Sequence, residues 1–403
     1  MEPALRRAYN AAYSDRVYAA YIDKLEGKLG CKIPFRVAET PLFMPHALRD
    51  ALARAATEIV EQISKPELVA KMKRAIPPSF DVPGMDPLPN CTQVDFAIVR
   101  GEDGRLEGKV VELQAFPSLY ALMVVQSDTM MEVLRGLPGL DRAYSIYFGG
   151  LDREAFVARL RRAILGGEAP EHVVLLDLDP PAQKTYPDFV ATKQLVGVDA
   201  VCPTELVKEG RALYRKVDGR LVPVRRIYNR IVFDELQAKR PALPFSYTEP
   251  LDVTWCSHPN WYWTWSKYTL PHVDHPAVPR ARFVSELERL PERLDRYVLK
   301  PLFSFAGSGV KVDVTEADVA AIPEAERGNW ILQEKIAYEP GLRMPDESGV
   351  KAEVRMMFLR APDEEKPTLV LNLVRLSRGK MLGVDQNKDL TWVGGSVGLW
   401  TVD

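Results

Sequence analysis

Apolar positions along this chain keep two distinct periods. Over residues 45–63, Ala, Leu and Ile recur every three or four residues, which predicts an amphipathic helix with Pro45 in its first turn. The Ala-, Tyr- and charge-rich stretch 3–29 also predicts helix. So does 65–75, which Pro77-Pro78 stops. Residues 35–38 read as a short strand. Residues 94–100 and 108–113 read as two strands joined by the turn Gly101-Glu102-Asp103-Gly104, and a helix follows over 119–135.

Strand and helix then alternate. Short apolar strands are expected at 143–148 and 172–177 around an amphipathic helix at 152–165, with a further element at 195–201. A hairpin turns at Asp218-Gly219, residues 226–233 form a strand, and 241–250 read as a linker. The remainder is rich in strands with its own glycine punctuation. This alternation argues for an α/β (α+β) protein with a parallel-type sheet in its middle. Three regions are expected, at 1–140, 141–250 and 251–403. No internal repeat or low-complexity segment interrupts them.

Composition narrows the class. With 403 residues, 46% hydrophobic and 27% charged, the chain is long enough for two or three lobes of an ordinary soluble protein. A net charge of −2 offers no field to recruit nucleic acid or an anionic membrane. No apolar run is long enough to span a bilayer, and no apolar segment follows the first charged residues as in a signal peptide, so a cytoplasmic location is expected. Cys31, Cys91, Cys202 and Cys256 are scattered, which favours reduced thiols over disulfides or a zinc site. His272 and His275 sit among prolines and suit a loop better than a metal. There is no nucleophile elbow and no P-loop.

Candidate chemistry gathers in the last third. Residues 296–301 form an apolar strand ending in Lys300-Pro301, followed by a turn with Gly307-Ser308-Gly309. Glycines let backbone N–H groups approach phosphate oxygens, and a strand-end lysine adds a point charge. Alone, this reads more readily as a hairpin with an incidental lysine. A second strand, 330–336, stops abruptly in Gln333-Glu334-Lys335-Ile336. An adenine needs a flat apolar slot with a carbonyl and an N–H at its edge, which a strand leaving a core can supply. Solvated charges at a strand end are the plain alternative. Glu353 and Arg355 then share one strand face, and Arg375 lies on the next strand.

Taken in order, Ser266-Lys267, Val298-Leu299-Lys300-Pro301 with Gly307-Ser308-Gly309, Gln333-Glu334-Lys335-Ile336, Glu353-Val354-Arg355, Arg375, Asn387 and Gly394-Gly395 resemble the ATP-grasp superfamily. The resemblance implies that Lys267 and Lys300 bind phosphates, that the stretch beginning at Glu334 holds adenine, and that Glu339 reaches the ribose. It also implies an acidic Mg²⁺ site, which in the usual order follows the arginine strands. Here it is missing from that place. A candidate lies upstream, where Asp95 precedes the strand carrying Glu112 and Gln114. Glu112 and Gln114 share a face by the two-residue period, and antiparallel pairing would bring Asp95 beside them. An ordinary surface hairpin is the alternative. Metal strands ahead of the nucleotide lysines resemble the circularly permuted ATP-grasp group of eukaryotic-type glutathione synthetases and glutathionylspermidine synthases, with a preceding α/β lobe. Gln114 stands where Asn is usual in that group.

The resemblance implies an ATP- and Mg²⁺-dependent carboxylate–amine ligase acting through an acyl phosphate, with Arg355 or Arg375 stabilising the phosphoryl oxygens. Small-molecule carboxylate and amine substrates are its expected partners. Arg230 is a candidate for holding a substrate carboxylate, or else for an interlobe salt bridge, and Asn387 a further substrate candidate. The aromatic run Trp255, Trp261-Tyr262-Trp263 and Trp265 is expected to pack between lobes. A nucleotide-binding protein without turnover and an ATP-dependent phosphotransferase remain the rival readings.

Overall fold

A computed structural model describes residues 1–303, 309–379 and 390–402. Its central element is a six-stranded antiparallel sheet assembled from distant parts of the chain. Gly394–Ser396, Thr368–Ser377, Gly349–Leu359, Cys91–Arg100 and Leu106–Gln114 lie side by side in that order, and Leu342–Arg343 pairs with Gly349–Leu359. The junction between the two ends of the chain is Gly349–Leu359 against Cys91–Arg100, with Glu353 opposite Ala97 and Arg355 opposite Asp95. One face of this sheet is covered by helix His46–Ile63, whose Leu48, Leu52, Ala56 and Ile59 are buried. That spacing is the apolar stripe read from the sequence.

The expected first helix is two, Pro3–Ala12 and Asp15–Leu29. Ser14 breaks the run, because its side chain accepts the Val17 N–H and caps the second helix. Residues 35–38 make a single bridge, Val37 to Gly395, rather than a strand. There the backbone is too close for any side chain: a Cβ on Gly394, whose φ is +117°, would lie 2.2 Å from the Arg36 carbonyl oxygen.

The middle sheet is wholly parallel, in the order Thr254–Cys256, Arg226–Asn229, Val173–Leu176, Asp199–Val201. Helices Arg153–Leu165 and Tyr186–Val196 accompany it, as a parallel sheet requires. The strand expected at 143–148 is only Tyr144–Ser145, and it pairs with Gly398–Thr401 rather than with this sheet. The aromatic run is buried: Trp261 and Trp265 join the main core, while Trp255 and Trp263 pack with Phe233 and Tyr247.

A third sheet carries the predicted lysine strand. Ala281–Phe283, Trp330–Glu334 and Tyr297–Pro301 pair antiparallel in that order. Leu299 and Leu332 face a small core of their own, with Val284, Val314 and Val319. Ile331 and Phe283 face the main core instead. Among the described residues, no helix is long and apolar enough to cross a membrane, and all four cysteines are free thiols.

Candidate functional site

Register builds a polar face on the main sheet. Arg355 lies opposite Asp95, Asp95 opposite Glu112, and Gln93 opposite Gln114. Two residues further along, Arg375 lies opposite Glu353. Side-chain alternation sets all of these on one face, within reach across strands. Arg355 donates to both Asp95 oxygens, from Nε at 2.6 Å and from Nη2 at 2.7 Å. Arg375 donates to Asp95 and to Glu353, and the Tyr338 hydroxyl donates to Glu353 Oε2 at 3.1 Å.

Asp95, Glu353 and Arg355 are buried, so each charge depends on its partner. Burial works to raise Asp95, but the guanidinium groups of Arg355 and Arg375 hold its carboxyl below the usual range. At Glu353, burial wins and pushes the carboxyl up, although Arg375 pulls against it.

Two lysines meet this face from other segments. Lys267 opens a short 3-10 helix, Lys267–His272, which Ser266 and Thr269 cap reciprocally. Its Nζ lies 3.5 Å from Glu112 Oε1. Lys300, on the third sheet, donates from Nζ to the Val111 carbonyl at 3.0 Å. Burial pushes Lys300 down to about 8; Glu112 opposes this and Lys267 adds to it. Lys267 and Glu112 also line a cleft with Gln114, Phe116, Tyr262 and Phe303. Asp95, Glu112 and Glu353 thus face Lys267, Lys300, Arg355 and Arg375, a balance that leaves a net positive charge suited to an anion.

The chain beyond Lys300 returns on itself. Leu299 and Lys311 exchange backbone hydrogen bonds, and Gly309 takes a φ of +74°. Gly307 and Ser308 of the expected phosphate turn lie outside the described residues, as does Asn387. At the expected adenine hinge, Gln333 is fully buried, Glu334 and Ile336 are half-buried, and Lys335 is exposed. Glu339 is held to the main sheet: its N–H bonds the Ile98 carbonyl at 2.9 Å, and Arg100 donates to its Oε1 at 2.8 Å.

The expected Mg²⁺ ligands fit unequally. Both oxygens of Asp95 are engaged by guanidinium groups, and the residue is 1% exposed. In this arrangement Asp95 serves as the counter-ion of Arg355 and Arg375. Arg355 is turned to Asp95, and Arg375 is the less buried of the pair. One end of the Gln114 amide lies 2.9 Å from Gln93 Oε1 and 2.6 Å from Arg355 Nη2. As a nitrogen it donates to Gln93, and as an oxygen it accepts from Arg355. Among the described residues lining the cleft, Glu112 is the carboxylate, beside Lys267. Among the described residues, no group of three or more His, Cys, Asp or Glu is arranged to hold a metal.

Arg230 is buried and donates to Asp188. Asp188 also accepts the N–H groups of Leu119 and Leu122 at the start of helix Tyr120–Arg135. Arg230 thus holds a carboxylate, but one from the chain itself. Arg230→Met should lower stability by about 1.5–3 kcal/mol, the worth of a charged hydrogen bond, because Asp188 keeps its backbone donors. Urea unfolding measures this. An unchanged midpoint would return Arg230 to the list of substrate contacts.

Two residues of the cluster, Gln93 and Tyr338, were not singled out from sequence. Glu353 was visible as the partner of Arg355 on its face, and Gln93 stands two residues before Asp95. Tyr338 gave no local signal.

No family model and no curated protein matches the chain. Among solved structures, the apo form of a glutathione synthetase-like effector, GSS30, from Globodera pallida is similar, with a TM-score of 0.54 and 11% identity over 96% of this chain and 97% of that one. The likeness is one of fold. It spans essentially the whole of both chains.

Proposed function

We propose that the chain is a circularly permuted ATP-grasp protein and an ATP-dependent carboxylate–amine ligase. The observation that carries this reading is the convergence of Lys267, Lys300 and Glu112, from three separate segments, between the main sheet and the third sheet. Two lysines beside one carboxylate suit a triphosphate bound with a divalent cation. The fold likeness to a glutathione synthetase-like protein supports a ligase relationship without specifying a reaction.

In this reading Lys267 and Lys300 neutralise phosphate oxygens. Arg375, bridging Asp95 and Glu353 from a half-buried position, stands nearest to the transferring group, and Arg355 locks Asp95 so that the bridge is held in place. Glu112 would hold Mg²⁺ together with the phosphates' own oxygens, and that ion supplies charge neutralisation. The chain's residues bind and orient, and no protein nucleophile is needed. The substrate carboxylate attacks the γ-phosphorus, ADP leaves, and an amine then displaces phosphate from the acyl phosphate.

Release of ADP and phosphate that requires both a carboxylate and an amine tests the reaction. ATP binding with no turnover across a broad panel of both would favour a regulatory nucleotide-binding protein. The metal assignment has a separate test. Glu112→Ala should raise the Mg²⁺ concentration needed for turnover by at least the roughly 10–100-fold typical of losing an outer-shell partner. Turnover with an unchanged Mg²⁺ requirement would remove Glu112 from the site.

A further inference from the structure

Cys91 and Cys256 come from different sheets and meet in the core. Cys91 opens strand Cys91–Arg100 of the main sheet, opposite Leu359. Cys256 ends strand Thr254–Cys256 of the middle sheet, opposite Tyr228. The two are buried in one hydrophobic cluster, and the Cys91 thiol donates a hydrogen bond to the Cys256 sulfur. A disulfide needs two side chains turned toward each other at short range. Thiols in hydrogen-bond contact already meet that condition.

A cation is fixed beside them. The Arg226 guanidinium donates to the Cys256 sulfur, and it is held there by the Ile164 carbonyl at 2.9 Å, the Ala163 carbonyl at 3.1 Å and the Thr254 hydroxyl at 3.1 Å. Burial works to raise Cys256, but the Cys91 thiol and the charge of Arg226 outweigh it and hold this thiol below its ordinary 9. Burial and the Cys256 sulfur push Cys91 well above the same value. The pair is thus unequal, with one sulfur favoured as thiolate and the other held as its proton donor. Cys31 and Cys202 differ in kind: each is partly exposed, and neither has a cysteine beside it.

We propose that Cys91 and Cys256 form an oxidisable dithiol, which a peroxide converts to a disulfide tying the main sheet to the middle sheet. The Cys256 thiolate attacks one peroxide oxygen, the O–O bond breaks, and the departing hydroxide takes the proton that Cys256 gave up and leaves as water. The Cys91 sulfur then attacks the resulting sulfenic sulfur. The S–O bond breaks, and hydroxide leaves with the Cys91 proton as a second water. Two thiols lose two electrons, and one peroxide becomes two waters. The oxidant reaches the buried pair when the junction between the sheets opens locally, so the link forms more slowly than Cys31 and Cys202 react. Once formed, it fixes the strand that carries Asp95 against the segment that leads to Lys267. The proposal is independent of the ATP reading.

Hydrogen peroxide treatment of the reduced whole chain tests it, followed by alkylation of the remaining thiols in denaturant and peptide mass spectrometry without reductant. The expected product joins the peptides of Cys91 and Cys256, two hydrogens lighter than their sum, and dithiothreitol reverses it. The melting temperature of the oxidised protein should rise by about 5 °C, in line with a disulfide that closes a long loop. Cys91→Ala and Cys256→Ala should each abolish both the linked peptide and the rise. The double variant Cys31→Ser/Cys202→Ser should keep them, and it carries the test if the core variants fold poorly. Recovery of Cys91 and Cys256 as alkylated thiols after Cys31 and Cys202 have been oxidised overturns the proposal. So does an overoxidised Cys256 with no link to Cys91.

Discussion

Asp95→Ala is expected to cost the ligand-free protein about 3–5 kcal/mol in a urea titration, the range seen when one partner of a buried ion pair is removed. Arg355 is buried and has Asp95 as its bidentate acceptor, so truncation strands a guanidinium charge next to little more than the Gln114 amide. Arg375 suffers less, because Glu353 still accepts from it. The cost should largely vanish in the double variant Asp95→Leu/Arg355→Met, since apolar replacement of a whole buried pair is often neutral or better.

The same variant separates two roles for this carboxylate. A metal ligand has no stabilising partner in the metal-free protein, so its removal would leave the urea midpoint nearly unchanged. A counter-ion gives the large loss, and it also gives a pH signature. The Asp95 carboxyl is held below its ordinary 3.8. Its contribution is therefore fully present above that value and is lost as pH falls through the lower folded value. The wild type and Asp95→Ala curves should converge toward acid and run parallel above about pH 5. A constant gap down to the acid limit would contradict the pairing.

How far this arrangement could be read from sequence depends on the range of each interaction. Helix His46–Ile63 was legible because Leu48, Leu52, Ala56 and Ile59 keep one face at helical period. The Asp218-Gly219 turn was legible because a two-residue hairpin favours residues tolerant of positive φ, and both have it, at 49° and 77°. Helix Tyr186–Val196 was not, because Asp188, Phe189, Ala191 and Thr192 are all buried, so polar and apolar residues alike face inward and no period shows.

The site follows the same rule. Two-residue spacing put Glu112 beside Gln114 and Glu353 beside Arg355 correctly. Only the register of strands 260 residues apart puts Arg355 on Asp95. Without that pairing, a buried aspartate next to a glutamate reads as a metal ligand. With it, Asp95 is the counter-ion of two arginines, and Glu112 lines the cleft.

Lys300→Met is expected to weaken ATP binding by about 10²–10³-fold, in line with the 2–5 kcal/mol lost when one partner of a buried charged hydrogen bond is truncated. Met keeps most of the apolar stem, so the third sheet should pack as before. Burial holds the free Lys300 at about 8, against an ordinary 10.5. A triphosphate would bind the charged form, so complex formation above that value must take up a proton. ATP affinity should then fall by about tenfold per pH unit above pH 8, and this slope should be absent in Lys300→Met. The ligand-free protein should show the opposite trend. Between about pH 8 and 10.5 the unfolded lysine holds a proton that the folded one has released, so wild-type stability rises through that window and the variant's does not. Calorimetry across pH 7 to 10 reads the first effect and urea unfolding the second. ATP affinity that is undiminished in Lys300→Met would move the phosphates away from the third sheet and, with them, the case for the nucleotide cleft.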